Sequence, residues 1–255
     1  DAGSSCARIY DWASVDEAAA LSFMNSRAHS FSTAAFSSDG KLVKTEGRAY
    51  GKIILESRRS AVSEEDYSKA VCAAVKADGI EWLPLEKNSR DFLKRCGFYA
   101  ENCGSGEDGF RLKLKNLALN AEEWLVPFIP RGEKVNAQSV YNALYWYLDG
   151  AKVCECVPAE ITLENGRHRK LLYEKNGDKT VPVLEVIIQQ VFGCFSTPRV
   201  MGVPVLMRLL SPARRPLQVT TDLENFWNGT WKEICSEMKG RYPKHNWDYT
   251  VSEGE

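Results

Sequence analysis

Apolar side chains in the first third of the chain follow a pattern that is typical of β-strands. Between residues 30 and 59, aromatic and β-branched runs are interrupted by glycines and by the turn sequence SSDG. These runs predict strands, and Gly47 and Gly51 predict bulges or sharp bends of the kind found in a small barrel.

A helical spacing of apolar residues follows these strands. Residues 63–78 place alanine, valine and tyrosine side chains three and four positions apart, between the capping residue Ser63 and the helix-ending Gly79. Ser14 and Glu17 have the spacing of a capping box for an earlier helix. Shorter patterns predict a strand at 7–12, a helix from Asp16, a strand at 80–85 and a helix at 89–98.

Residues 101–110, with the sequence ENCGSGEDGF, form the most loop-like stretch of the chain. Gly, Ser and acidic residues dominate it and interrupt both kinds of periodicity. We therefore expect two domains, a β-rich region with packed helices at 1–110 and a second domain at 111–255. The fold class that follows is α+β.

Two Asn-Gly pairs, at 165–166 and 176–177, are the clearest turn signals of the second half. Asn-Gly between apolar runs predicts a β-hairpin, because both residues tolerate the positive φ of a type I′ turn. Further apolar runs at 203–211 and 215–220 predict two paired strands. Other patterns predict helices at 120–128, at 136–149 and from Thr221 to Gly240, the last with a Thr221–Glu224 capping box and a kink at Gly229. The second domain should thus combine helices and hairpins, with room for a small barrel.

Composition and charge narrow the class of protein. A hydrophobic content of 44% and a charged content of 26% are ordinary for a globular protein. The net charge of −1 argues against a whole-molecule footprint for nucleic acid, although residues 199–247 carry a local net charge of +4. No apolar run approaches the roughly 18 to 20 residues of a membrane span. The start lacks an initiator Met and a signal peptide, which is expected of a fragment of a longer polypeptide.

The eight cysteines and three histidines do not form a zinc-binding or catalytic motif. No C-x-x-C pair occurs, and Cys154 and Cys156 would point to opposite faces of a strand, so we expect no metal site and reduced cysteines in a cytoplasmic protein. Phosphate-binding and nucleophile-elbow motifs are also absent. A pairing of Cys194 with His245 as nucleophile and base is the one catalytic hypothesis that the residues leave open.

The stretch KGRYPKHNW, residues 239–247, allows two interpretations. Basic residues next to aromatic ones are typical of a surface that binds single-stranded nucleic acid. Alternatively, Tyr242, Pro243 and Trp247 anchor the chain end onto the domain, while Arg215 and Arg241 pair with acids such as Asp222 and Glu224. By the same logic, the aromatic residues at 226, 227 and 231 are better interpreted as core than as a base-stacking platform.

The last fifty residues resemble the C-terminal region of the HrpB family of bacterial DExH-box ATP-dependent helicases. The motifs that carry the resemblance are LLSPARRPLQVTTDL (209–223), FW (226–227) and GRYPKHNW (240–247). Weaker collinear matches upstream are YGKIILESR, GIEWLPL, EEWLVPF and VPAEITLENG, so that the resemblance extends over nearly the whole chain.

The resemblance implies a role and a set of binding residues. Residues 1–110 would be part of an OB-like accessory region and residues 111–255 the family's own C-terminal domain, while the motor domains that bind ATP and Mg²⁺ are absent. The fragment itself would need no cofactor and would be non-catalytic. Its implied partners are the helicase core of the same polypeptide and single-stranded RNA or DNA, without a membrane. The candidate nucleic-acid-binding residues are Arg214, Arg215, Arg241, Tyr242, Lys244 and His245.

Three functions are therefore to be distinguished. The first is an accessory module that assists nucleic-acid binding, and it predicts salt-sensitive binding. The second is a docking platform for the helicase core or another protein, and it predicts an exposed apolar patch. The third is a cysteine enzyme, which requires Cys194 and His245 within hydrogen-bond reach.

Overall fold

The computed structural model describes residues 13–37, 39–130 and 133–247. The chain divides into two compact units, residues 1–74 and residues 75–255. The predicted domain limits, 1–110 and 111–255, stay a prediction. The strand expected at 7–12 lies outside the described residues.

The first unit contains an open antiparallel sheet, as the β pattern predicted. Its elements are helix α1 (Glu17–Ser26) and strands β1 (His29–Phe36), β2 (Leu42–Tyr50) and β3 (Ile53–Ser60), in the order β1-β2-β3. Gly51 turns between β2 and β3 with φ +60°, and a bulge lies beside Gly47, between Arg48 and Ala49. A Cβ on Gly47 would lie 2.0 Å from the backbone oxygen of Glu56, so only glycine fits there. The sheet does not close into the expected small barrel.

Helix α2 (Glu64–Asp78) begins where its capping signal predicted. The N–H of Asp66 donates to Oγ of Ser63 at 3.1 Å, and the N–H of Ser63 donates to the Asp66 carboxylate at 2.9 Å. The expected cap of α1 was wrong by two residues. Asp16, not Ser14, accepts from the N–H of Ala19, because a carboxylate directly before the helix reaches the free N–H groups of its first turn.

The second unit combines helices, hairpins and one mixed sheet. Its helices are α3 (Lys87–Asn102), α4 (Asp108–Lys115), α5 (Ala121–Trp124), α6 (Ala137–Tyr147), α7 (Gly150–Cys156), α8 (Leu223–Asn228) and α9 (Trp231–Arg241). Its strands are β4 (Glu160–Thr162), β5 (His168–Lys170), β6 (Leu172–Asn176), β7 (Lys179–Ile187), β8 (Arg199–Val200), β9 (Val203–Pro204), β10 (Leu206–Leu210) and β11 (Pro216–Thr220). The α+β class is confirmed, and the described strands form open sheets.

The central sheet has the strand order β11-β10-β7-β6. Strands β7 and β10 are parallel, with Ile187 opposite Leu210, whereas the outer pairs are antiparallel. Helix α3 packs on β6 and β7, and the rings of Phe98 and Tyr173 lie 5.3 Å apart in this layer. Because β7 and β10 run in the same direction, the segments that follow them leave the sheet at the same edge.

Both predicted Asn-Gly hairpins are present. Strands β4 and β5 pair around Asn165-Gly166, and β6 pairs with β7 around Gly177. In the second hairpin Asn176 already pairs with Lys179, so the two-residue loop is Gly177-Asp178. Of these two residues only Gly177 has a positive φ, which is the pattern of a type II′ turn rather than the expected type I′.

Three segments of the second unit differ from the sequence prediction. The expected strand at 80–85 is a 3₁₀ turn at Ile80–Trp82, because the apolar run is too short and contains a proline. Helix α3 extends to Asn102 and α4 begins at Asp108, which leaves a loop of only five residues in the stretch 101–110. Gly150 begins α7 instead of ending a helix, because Asp149 takes a left-handed turn with φ 46°, and Cys154 and Cys156 therefore lie on a helix.

The last predicted helix is two helices. Asp222, rather than Thr221, caps α8 by accepting from the N–H of Asn225 at 2.9 Å. Gly229 takes φ −107° and ψ −97°, which breaks the helix completely instead of kinking it, and α9 continues to Arg241.

Candidate nucleic-acid interface

The loop at 211–215, between β10 and β11, presents two arginines to solvent. Ser211 is 1% exposed, its N–H donates to the backbone oxygen of Arg215 at 2.8 Å, and its Oγ accepts from the N–H of Arg215 at 3.0 Å. These bonds close the loop from inside. The side chains of Arg214 and Arg215 are exposed, and neither forms an ion pair within the described part of the chain.

Arg214 has a left-handed backbone conformation with φ 57°. A residue with a Cβ pays roughly 1–2 kcal/mol for this conformation, whereas glycine adopts it freely. An arginine at this position therefore lowers the stability of the fold. Backbone strain of this kind is often found at functional sites, so the side chain of Arg214 is a candidate for a functional role.

Trp247 anchors the end of the described chain. Its side chain is 2% exposed, its indole N–H donates to the backbone oxygen of Tyr242 at 2.9 Å, and its own backbone oxygen accepts from the Cys235 thiol at 3.2 Å. Its ring packs 6.3 Å from that of Trp231. Trp247 is therefore unable to stack on a base.

The remaining predicted residues of this segment point outwards to different degrees. Tyr242 is half-buried, with its ring between those of Trp247 and His245. Lys244 and His245 are exposed, and Lys244 has no ion pair among the described residues. Arg241 pairs with Glu237 at 3.3 Å, one turn back on α9, and not with the acids that the anchoring hypothesis named.

The aromatic residues of α8 and α9 belong to the core, as expected. Phe226, Trp227 and Trp231 are all buried. The indole N–H of Trp227 donates to the backbone oxygen of Cys194 at 2.8 Å, which fixes the loop after β7 against α8.

The tip of the β4–β5 hairpin also forms hydrogen bonds to the segment that follows β7. Asn165 donates through Nδ2 to the backbone oxygens of Gln190 and Phe192, at 2.9 and 2.8 Å. Partial burial raises the pKa of Glu164, but hydrogen bonds from the Ser196 hydroxyl and from the N–H groups of Phe195 and Ser196 outweigh it, so the pKa lies below its usual value. The hydrogen bonds of Glu164 and Asn165 therefore fix the hairpin tip to the loop at 190–196.

A basic run on this hairpin was missed by the sequence analysis. Residues 167–170 read Arg-His-Arg-Lys, and none of the four forms an ion pair within the described ranges. Arg167 donates from its guanidinium to the backbone oxygen of Gln189 at 3.1 Å. The run could have been found from local charge alone, directly after the Asn-Gly turn.

The described residues give no support to catalysis by Cys194. Its side chain is 2% exposed whereas His245 is exposed, and burial raises the pKa of the Cys194 thiol, which disfavours the thiolate. Within the described residues no group of three or more His, Cys, Asp or Glu side chains is placed to hold a metal ion. None of the helices described is long and apolar enough to cross a membrane.

Comparison with known proteins points to one family. The family model described as "ATP-dependent helicase C-terminal" matches residues 124–249, which include both candidate segments. The ATP-dependent RNA helicase HrpB of Escherichia coli is 37% identical over 143 residues, which cover 52% of this chain and 17% of that protein.

Two solved structures of E. coli HrpB share the fold. One, described as a DExH-box NTPase, matches 91% of this chain with a TM-score of 0.67 and 25% identity. The other, described as a DEAH/RHA helicase, matches 87% with a TM-score of 0.61 and 25% identity. The chain spans only 30% and 29% of those two chains. Residues 124–249 thus belong to the C-terminal domain of HrpB-type ATP-dependent helicases, and the chain corresponds in fold to the C-terminal region of E. coli HrpB.

Proposed function

We propose that the second unit assists an HrpB-type helicase by contacting the phosphate backbone of single-stranded nucleic acid. The observation that carries the proposal is a set of exposed cations that have no acidic partner among the described residues, namely Arg214 and Arg215 on the 211–215 loop and Lys244 after α9. Such cations displace counterions from a phosphate backbone on binding.

The surroundings of these cations support the same proposal. Several other cations of the unit are paired with acids, for example Lys175 with Glu101 at 2.7 Å and Arg208 with Glu174 at 2.7 Å. Tyr242 and His245 stay accessible enough to stack on a base, whereas Trp247 does not. The E. coli relative is named an RNA helicase, so RNA is the first ligand to test.

The test is the affinity of the whole chain for fluorescently labelled single-stranded RNA and DNA, measured by anisotropy at about 50 and about 200 mM salt. We expect binding that weakens with salt, and a lower affinity of the Arg215→Ala and Lys244→Ala variants. The matched control is Lys87→Ala, which removes an equally exposed cation at the start of α3 and should leave the affinity unchanged. Binding that is absent or independent of salt would reject the proposal.

A second candidate function is docking on the motor region of the same polypeptide. Trp146 on α6 is 72% exposed, and the ring of Tyr145 packs against it edge to face. Tryptophan is enriched among the residues that contribute most to binding in protein–protein interfaces. A separately expressed HrpB motor region should then co-purify with the chain, and the Trp146→Ala substitution should abolish this association. Association that survives the substitution would count against docking through α6.

A further inference from the structure

Two arginines from different hairpins adjoin the same pair of residues. The guanidinium of Arg167 donates to the backbone oxygen of Gln189 at 3.1 Å. The side chain of Arg214 lines a cavity of about 160 Å³ together with Gln190 and Glu185. Gln189, which accepts from Arg167, and Gln190, which lines the cavity with Arg214, are consecutive residues of one turn.

The sheet explains why the segments that carry Gln189 and Arg214 begin side by side. Strands β7 and β10 are parallel and end in register, Ile187 opposite Leu210. The turn that carries Gln189 follows β7, and the loop that carries Arg214 follows β10, so both leave the sheet at one edge. Asn165 then fixes the tip of the β4–β5 hairpin, and with it Arg167, to the backbone oxygen of Gln190.

The charges around this edge favour an anion. Glu185 lines the same cavity, but it lies opposite Arg208 in the parallel register. Arg208 donates two hydrogen bonds to the Glu174 carboxylate, and these bonds, with a smaller contribution from the Glu185 charge, raise the pKa of the Arg208 guanidinium. The positive charge of Arg208 therefore partly neutralises the carboxylates of Glu174 and Glu185. Arg167 and Arg214 remain as cations without an acidic partner among the described residues.

We propose that Arg167 and Arg214 form a clamp that holds the phosphodiester backbone of a nucleic-acid strand over Gln189 and Gln190. Arginine suits this role because its planar guanidinium binds phosphate oxygens through two parallel hydrogen bonds. The clamp rests on the proposed function and extends the binding surface to Arg167, the residue directly before β5. It would also account for an arginine in a left-handed conformation at position 214.

The test compares the salt dependence of RNA binding between the wild-type chain and matched variants. Arg167→Gln removes the charge and keeps a side-chain donor for the backbone oxygen of Gln189. Arg214→Gly removes the charge and suits the positive φ, so a loss of binding is not a loss of fold. Lys170→Ala is the control, because Lys170 is exposed and lies at the other end of β5, opposite Glu160 in the strand register.

Each clamp variant should lower the slope of log affinity against log salt by about 0.7, the value for one phosphate contact to a single strand, and the double variant by about twice that. Lys170→Ala should keep the wild-type slope. A salt-dependent wild type whose slope is unchanged by Arg167→Gln would overturn the clamp and leave the proposed function intact. A wild type without salt-dependent binding would overturn both.

Discussion

Trp247 donates its indole N–H to the backbone oxygen of Tyr242, 2.9 Å away, and this bond folds the segment 242–247 back on itself. The bond separates the two roles that the sequence KGRYPKHNW suggested. Trp247 and part of Tyr242 face the core and anchor the chain, while Lys244 and His245 face solvent. The anchoring interpretation thus holds for Trp247, whereas nucleic-acid binding by Lys244 and His245 stays a prediction.

The anchoring role predicts a large loss of stability on Trp247→Ala. A buried tryptophan truncated to alanine costs about 3–5 kcal/mol, because packing is lost and a cavity remains. Urea unfolding followed by circular dichroism measures this change. Trp146→Ala is the control, because a residue 72% exposed should change the free energy of unfolding by less than about 0.5 kcal/mol. Equal effects of the two substitutions would contradict the assignment of Trp247 to the core.

Replacing Arg214 or Arg215 by glycine should change the free energy of unfolding in opposite directions. Arg214→Gly should raise the free energy of unfolding by up to about 1 kcal/mol, because it relieves a left-handed residue at φ 57°. Arg215 is not among the positive-φ residues, so Arg215→Gly should lower it by about 0.5–1 kcal/mol through the greater freedom of the unfolded chain. Thermal unfolding of both variants and the wild type under the same conditions measures these changes in stability. A destabilised Arg214→Gly would show that the side chain stabilises the loop.

Glu164 should make part of the stability depend on pH. Its pKa in the folded protein is below the usual value of 4.5, so its contribution is fully present above pH 4.5 and is lost as the pH falls through the folded-state pKa. Glu164→Gln should therefore be less stable than wild type at neutral pH, with a gap that narrows under acid conditions. Unfolding in urea across this pH range measures the gap. A gap that stays constant down to acid pH would show that the Glu164 charge contributes nothing.

Cys194 should be inert in the native protein. Burial keeps its pKa raised, so little thiolate forms and reagents have no access. Thiol labelling at about pH 8 with mass-spectrometric mapping should modify the half-buried Cys154, Cys156 and Cys235 before Cys194, which should react only after unfolding. Rapid labelling of native Cys194 would reopen the possibility of a cysteine enzyme.

Local signals account for much of the fold. Asn165-Gly166 and Gly177 set both hairpins, because a positive φ is rare for residues with a side chain. Ser63 and Asn136 begin their helices where capping chemistry predicts, since each side chain accepts from an N–H of the first turn.

Long-range pairing accounts for what could not be predicted. The parallel register of Ile187 and Leu210 depends on residues far apart in sequence, and it alone brings Gln190 and Arg214 to one edge. The six candidate binding residues lie in the motifs that carry the family resemblance. The basic run that contains Arg167 is visible in the sequence, but its bond to Gln189, 22 positions away, required the structure.

The most direct test of nucleic-acid contact is cross-linking of the whole chain to single-stranded RNA that contains 4-thiouridine, followed by mapping of the modified peptides. The structure predicts cross-links within the 211–215 loop and within residues 241–245, and their loss when Arg214, Arg215 and Lys244 are all replaced by alanine. Cross-links confined to α6 around Trp146, or none at all, would contradict the account.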